Sequence, residues 1–392
     1  MQQHRYEILD GLRGIAAIMV VIFHISEAFS YDPVYKHLNH GYLCVDFFFV
    51  LSGFVIGHAY LDRLMTHKMT LWSFIKTRLI RLQPMILFGI ILGALLFYFQ
   101  ESPYYPGIAN ASLTYLAENM LFGFLMIPIT PEMNVRANGE MLLLNIPQWS
   151  MVFEYIANLA FCLLIYRVGK KSLAILTGIF ALLIIDSSLT LNIFGLLQPH
   201  DYPCSLNAGW SFTPEQFYIG IARVGWSFFA GLLMYRVLNP TTIRPRHSKD
   251  SPTLTFTICS LIIIAVVCTE QIGGYEHPIY DGIFNLACVL ILFPFTVYIG
   301  AKPTTTGHHL SKSCDFLGRI SYPLYLSHYP IVYLFFSWLD THHDSPFGIQ
   351  AFASVSTLIL SLLTAYAAMT LWDEPIRKAL KKRCQMRLFV RL

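Results

Sequence analysis

The stretch LDGLRGIAAIMVVIFH, residues 9–24, decides how this chain is read. It is an apolar helical run with an arginine near its start and a histidine at its end. A charge at the centre of a membrane-spanning helix costs roughly 2.5–3.5 kcal/mol on insertion scales, so such a residue faces a partner or a wet cavity and marks a function. Eleven residues at 100° each return to within about 20° of the starting direction, which puts Arg13 and His24 on one helix face. At 1.5 Å per residue they lie roughly 16 Å apart. Taken alone, Arg13 also fits an interfacial residue whose stem lies along the apolar helix, and His24 also fits a hydrogen-bonded core histidine.

The rest of the sequence agrees with the membrane reading. Of 392 residues, 55% are hydrophobic, 15% aromatic and only 13% charged, and the mean hydropathy is +0.53. That exceeds the apolar content of ordinary soluble chains. The first apolar segment has no small-residue cleavage site and a second follows closely, so it reads as a retained span and not as a removed signal peptide. The net charge of +4 is modest and its basic residues lie between apolar segments, which argues against a nucleic-acid partner. The eight cysteines show no metal-ligand spacing and mostly sit inside apolar runs, as small hydrophobes do. Neither a disulfide framework nor a bound metal is expected.

Apolar segments fall near 9–29, 41–60, 84–99, 113–130, 147–166, 172–192, 216–237, 254–272, 281–300, 318–338 and 350–372. Each approaches the ~20 residues a spanning helix needs. The segment 113–130 carries Glu118, Asn119, Gly123 and Pro128, and loop charge decides its place. If it does not cross, the loops with KTRLIR, YRVGKK and RPRHSK and the tail IRKALKKRCQMR share one side with the N-terminus, as the positive-inside bias requires. The expectation is therefore an all-α polytopic bundle of about ten transmembrane helices with both termini cytoplasmic, 113–130 being re-entrant or interfacial. Residues 1–375 form a single integral membrane domain and 376–392 a basic cytoplasmic tail.

Further polar residues lie within the apolar segments. CVDFFFVLSGFVIGH carries Asp46 near its extracytoplasmic start, at a depth similar to that of His24, where a carboxylate can hold an imidazole in one tautomer. Asp46 also fits a simple helix-start residue, and Ser52 and Gly53 read as close-packing positions. In FIKTRLIRLQP, Arg78 and Arg81 are three apart on one face. They suit either positive-inside anchoring or a guanidinium clamp for a phosphorylated cytosolic donor. PQWSMVFEYIANL buries Glu154, with Ser150 one turn before it, and a buried glutamate without a basic neighbour points to a site. LGRISYPLYLSHYPI carries Tyr322, Tyr325, Ser327 and His328 around two prolines that free backbone carbonyls. His308, His309, His342, His343 and Asp344 read as polar turns, and Trp210 in the loop 198–215 as an interfacial or stacking surface.

In combination, LDGLRGIAAIMVVIFH with its R-x10-H spacing, VDFFFVLSGFVI, TRLIRLQP, QWSMVFE, ISYPLYLSHYP and the terminal WDEP resemble the acyltransferase 3 family of multi-span membrane O-acyltransferases. The resemblance implies that His24 is the catalytic base, that Arg13, Arg78 and Arg81 bind the acyl donor, and that Glu154 belongs to the active site. Many relatives continue W-S-x-S-x-E-E; here Val152 and Tyr155 replace the second Ser and the second Glu. A soluble hydrolase-like domain that some relatives carry after the spans is not expected.

The function this implies is transfer of a short acyl group, acetyl first among them, from cytoplasmic acyl-CoA to a hydroxyl of a cell-surface or lipid-linked glycan. The setting is a bacterial inner membrane. His24 acts as general base with Asp46 as its orienter. Trp149, Ser150, Tyr325 and His328 are candidates for the acceptor side. Acyl-CoA is a donor substrate, and no permanently bound cofactor is expected. Two alternatives remain at this stage: acylation of a small lipophilic metabolite, and a proton-coupled carrier or glycan exporter built on the same intramembrane charges.

Overall fold

The computed structural model describes residues 5–30, 38–198, 203–238, 251–302 and 307–389, with side chains up to residue 384. It is 77% helical, and no β-strand occurs among the described residues. The helices are α1 (Glu7–Glu27), α2 (Cys44–Ile56), α3 (Leu71–Leu96), α4 (Leu113–Leu125), α5 (Trp149–Leu163), α6 (Lys170–Ser188) and α7 (Pro214–Leu238). They continue with α8 (Pro252–Cys268), α9 (Ile279–Gly300), α10 (His308–Ser327), α11 (Tyr329–Thr341), α12 (Phe347–Ala367) and α13 (Glu374–Phe389). Wider π-helical turns carry α2 on past Gly57–Leu61 and join α12 to α13 through Ala368–Asp373.

Seven stretches among the described residues are long and apolar enough to cross a bilayer: Glu7–Glu27, Gly41–Met65, Leu71–Gln100, Lys170–Ser188, Pro214–Leu238, Ile279–Gly300 and Phe347–Cys384. Helix α8 is apolar but shorter, at 17 residues. The apolar segments 147–166 and 318–338 fall on α5, with 15 residues, and on the pair α10 and α11. The segment 113–130 becomes α4, whose 13 residues rise only about 20 Å, short of the ~30 Å hydrocarbon core. Ser112 caps its N-terminus by accepting from the Tyr115 N–H at 3.1 Å, and Met126 ends it in the left-handed region at φ 59°. The RPRHSK loop lies outside the described residues, as do residues 199–202 of the loop 198–215. The basic segment from residue 376 onward is helical up to residue 389, as part of α13, and its first part falls within the stretch Phe347–Cys384.

The chain separates into two compact units, each assembled from two stretches: Met1–Leu71 with Ser150–Ser321, and Trp72–Trp149 with Tyr322–Leu392. In the first unit, α2 packs on α7 at backbone distance, because a Cβ on Gly53 would stand 1.9 Å from the Phe228 carbonyl oxygen. Gly14 does the same for α1 and α10: a Cβ there would come within 2.6 Å of the Leu317 carbonyl oxygen. Small residues at such crossings let helices approach where lipid tails offer no hydrophobic gain for association. The glycines of LDGLRG thus bring Arg13 within reach of the α10 backbone.

In the second unit α3 contains Pro84, which lacks an N–H and loosens the helical ladder. The carbonyls around it accept side-chain donors from other segments: Leu82 from the Tyr322 hydroxyl at 2.8 Å, Pro84 from the Trp372 indole at 2.9 Å, Ile86 from the Gln148 amide at 3.0 Å. Trp372 opens the WDEP motif, so that motif serves to clamp the last helix against α3.

Candidate functional site

The sequence-predicted residues divide between the two units. Arg13, His24, Asp46, Ser150 and Glu154 belong to the first; Arg78, Arg81, Trp149, Tyr325 and His328 belong to the second.

Arg13 and His24 lie on one uninterrupted 21-residue helix, α1, which preserves their shared face. His24 sits in its last turn, and its Nδ1 pairs with Glu27 Oε2 at 2.6 Å, both side chains being 18% exposed. Arg13 faces α10: its Nε donates to Ser321 Oγ at 2.8 Å and its Nη2 to the Gly318 carbonyl at 2.6 Å, with Asp10 Oδ1 at 3.6 Å. Ser321 in turn donates to the same Gly318 carbonyl at 2.9 Å. Half of the guanidinium fork is therefore spent on holding α1 to α10.

Among the described contacts, Asp46 makes none with His24. Its carboxylate is taken by Arg223 of α7, whose Nη2 stands 2.6 Å from Oδ2 and whose Nε stands 3.1 Å from Oδ2 and 3.3 Å from Oδ1. Both side chains are 0% exposed. A buried carboxylate must find a cation or lose several kcal/mol, and the partner that packing supplies lies 177 residues away. The same guanidinium donates to the Ala208 and Tyr42 carbonyls, each at 2.7 Å. Tyr42 continues the chain of bonds by donating to Asn285 at 3.0 Å. Nearby, His40 donates from Nδ1 to the Thr269 carbonyl at 2.8 Å and meets Asp281 Oδ1 through Nε2 at 3.0 Å. Both ring nitrogens of His40 thus have an oxygen within hydrogen-bond distance. Asp46 thus belongs to a polar network that ties the start of α2 to α7 and α9.

Glu154 of α5 accepts from the Ser52 hydroxyl of α2 at 3.1 Å. Gly53 does serve close packing, but Ser52 does more than that: it presents a donor to the glutamate. Ser150 is buried one turn before Glu154 and Trp149 precedes it, also buried.

In the second unit Arg78 is buried on α3 and Arg81 is half-buried one turn further on. Arg81, Arg377 and Lys381 all lie within electrostatic reach of the buried Asp373 of WDEP, which Arg377 bridges directly at 2.6 Å. A basic cluster from α3 and α13 is thereby gathered around one carboxylate. His328 marks the break between α10 and α11; its ring is buried and Nδ1 donates to the Leu324 carbonyl at 2.9 Å, with the Tyr325 ring centred 6.3 Å away. A further buried cation, Arg136, donates to Gln100 and to the Leu143 carbonyl and lies 3.9 Å from the Tyr333 ring centre. Beside it, burial pushes the Tyr105 phenol far above its ordinary value, with Glu140 adding to the rise and Arg136 opposing it.

Four partners escape a reading of the sequence. Glu27 carries a local signal, the three-residue spacing from His24. Ser52, Arg223 and His40 carry none, because their partners come from remote segments and nothing in local spacing names them.

A family model described as an acyltransferase domain, Acyl_transf_3, matches residues 6–366. The chain belongs to this acyltransferase family. The protein called "Protein 2 in picA locus" of Rhizobium radiobacter is 30% identical over 185 residues, 46% of this chain and 93% of that protein. "O-acetyltransferase OatA" of Staphylococcus aureus (strain NCTC 8325 / PS 47) is 23% identical over 94% of this chain. "Putative peptidoglycan O-acetyltransferase YrhL" of Bacillus subtilis (strain 168) is 26% identical over 85% of it. The chain spans 57% of OatA and 50% of YrhL. No solved structure matches.

Proposed function

We propose that this protein is a membrane O-acetyltransferase that carries an acetyl group from cytoplasmic acetyl-CoA to a hydroxyl of a cell-envelope glycan. Peptidoglycan is the first acceptor to test, since the relative YrhL is named a putative peptidoglycan O-acetyltransferase. The observation that carries the reading is His24 itself: a part-exposed imidazole, already paired through Nδ1, in the last turn of an apolar helix that bears Arg13 on the same face. Family membership supplies the chemistry to which such a base belongs.

In this reading Nε2 of neutral His24 takes the proton of the acceptor hydroxyl as its oxygen attacks the thioester carbonyl. The C–S bond then breaks, the ester forms and the coenzyme thiolate leaves, to be protonated by the imidazolium or by solvent. Arg78 and Arg81 bind the phosphates of the donor, because a guanidinium fork matches phosphate oxygens. Arg13, whose Nη1 donors are not spent on α10, is a further candidate for binding the donor. Glu154, poised by Ser52, and Trp149, Ser150, Tyr325 and His328 serve the acceptor side. In the same reading, a topology of about ten spans with both termini in the cytoplasm of a bacterial inner membrane puts the basic loops on the donor side.

The test is transfer of labelled acetyl from acetyl-CoA to peptidoglycan fragments by the purified protein in detergent or nanodiscs. Wild type transfers label and His24→Ala lowers kcat by at least about 100-fold, the range general-base catalysis supplies. Thioester that is not consumed, or a His24→Ala protein that keeps its rate, overturns the proposal.

A further inference from the structure

We infer that Glu27 is the positioning residue for His24, holding the proton on Nδ1 so that Nε2 faces the acceptor hydroxyl as the base. The inference rests on the proposed reading of His24 and adds to it the residue that orients the ring.

The geometry has three parts. Glu27 Oε2 lies 2.6 Å from His24 Nδ1, a charge-assisted distance. A carboxylate accepts and cannot donate, so the contact puts the proton on Nδ1, and in a neutral ring the lone pair is then on Nε2. The three-residue spacing on α1 sets the two side chains side by side, and each is 18% exposed, so the pair is mostly buried but not sealed.

The helix also makes the carboxylate costly where it stands. Glu27 is the last residue of α1, and a negative charge at a helix C-terminus opposes the macrodipole, whereas a positive one is favoured. A glutamate there gains from a cation beside it, and the imidazolium formed at the moment of proton transfer is such a cation. Asp46, the carboxylate that the sequence offers as orienter of His24, is paired with Arg223. Division of labour follows: Asp46 fixes α2 and Glu27 serves the imidazole.

The experiment compares Glu27→Gln, Glu27→Leu, Glu27→Asp and His24→Ala in the acetyl-transfer assay, with thermal unfolding of each detergent-solubilised protein as a fold control. Glu27→Gln keeps the shape but removes the charge and can turn a donor toward Nδ1, selecting the wrong tautomer. It is expected to lower kcat at least 100-fold while the KM for acetyl-CoA stays within about twofold, because the donor does not touch it. Glu27→Leu falls at least as far, and Glu27→Asp recovers at least tenfold over Glu27→Leu. If His24→Ala is inactive but Glu27→Gln keeps wild-type kcat, the inference fails and the reading of His24 stands. Loss that appears equally in KM and kcat, or only as lost folded protein, also overturns it. If His24→Ala keeps its rate, the reading of His24 fails first, and the role of Glu27 falls with it.

Discussion

Replacing Asp46 by asparagine separates structural from chemical work at this position. Asp46 and Arg223 are both 0% exposed, joined through contacts of 2.6, 3.1 and 3.3 Å. Asparagine keeps the shape and removes the charge, leaving a buried guanidinium without its counter-ion. Breaking a buried pair in this way costs about 3–5 kcal/mol, or roughly two to three and a half powers of ten in the folding equilibrium at ~1.4 kcal/mol each. Arg223→Met should cost more, since it strands the Asp46 charge and also removes the donors to the Ala208 and Tyr42 carbonyls, each worth about 1–3 kcal/mol. The double change Asp46→Leu with Arg223→Met leaves no stranded charge, so it should be more stable than Arg223→Met alone. Denaturant or heat unfolding of the solubilised protein, followed by tryptophan fluorescence, gives the order. Acetyl transfer per folded molecule gives the second readout, expected to stay within a few-fold of wild type in Asp46→Asn. An Asp46→Asn protein with an unshifted unfolding midpoint and a rate lowered 100-fold would refute this account and return Asp46 to the reaction centre.

Two further outcomes follow from the packing and the basic cluster. Gly53→Val forces atoms into the Phe228 carbonyl, 1.9 Å from an ideal Cβ, and should destabilise by about 3 kcal/mol or more, the upper end for overpacking; Gly178→Ala on α6, with nothing within 4 Å, should be neutral or stabilise by up to about 1 kcal/mol, both read from unfolding midpoints. Arg81→Gln should raise the KM for acetyl-CoA about tenfold with kcat within twofold, the share of one charged hydrogen bond of about 1.5–3 kcal/mol; an unchanged KM in initial-rate measurements would remove Arg81 from the donor site.

Much of the fold is legible because hydropathy and helical period are local properties. The apolar runs mark where helices form, the Arg13-to-His24 spacing marks a shared face, and α4 announces its shortness through polar residues and Pro128. The WDEP motif is visible as a motif, but its work, an indole donated to the Pro84 carbonyl at 2.9 Å, depends on a helix 288 residues earlier. Ser52 reads as a packing residue until the fold places Glu154 beside it. The Glu27 contact lies between: its spacing is local, yet a glutamate ending an apolar run reads equally well as a simple helix terminus.

What the sequence determined by itself is the solvent, the helices and the family, since each is carried by residue type and order along the chain. Only the tertiary structure decided which charge meets which. A buried carboxylate is bound by whatever cation packing brings within about 3 Å, and for Asp46 that cation is Arg223, 177 residues downstream, while the His24 imidazole meets a carboxylate of its own helix.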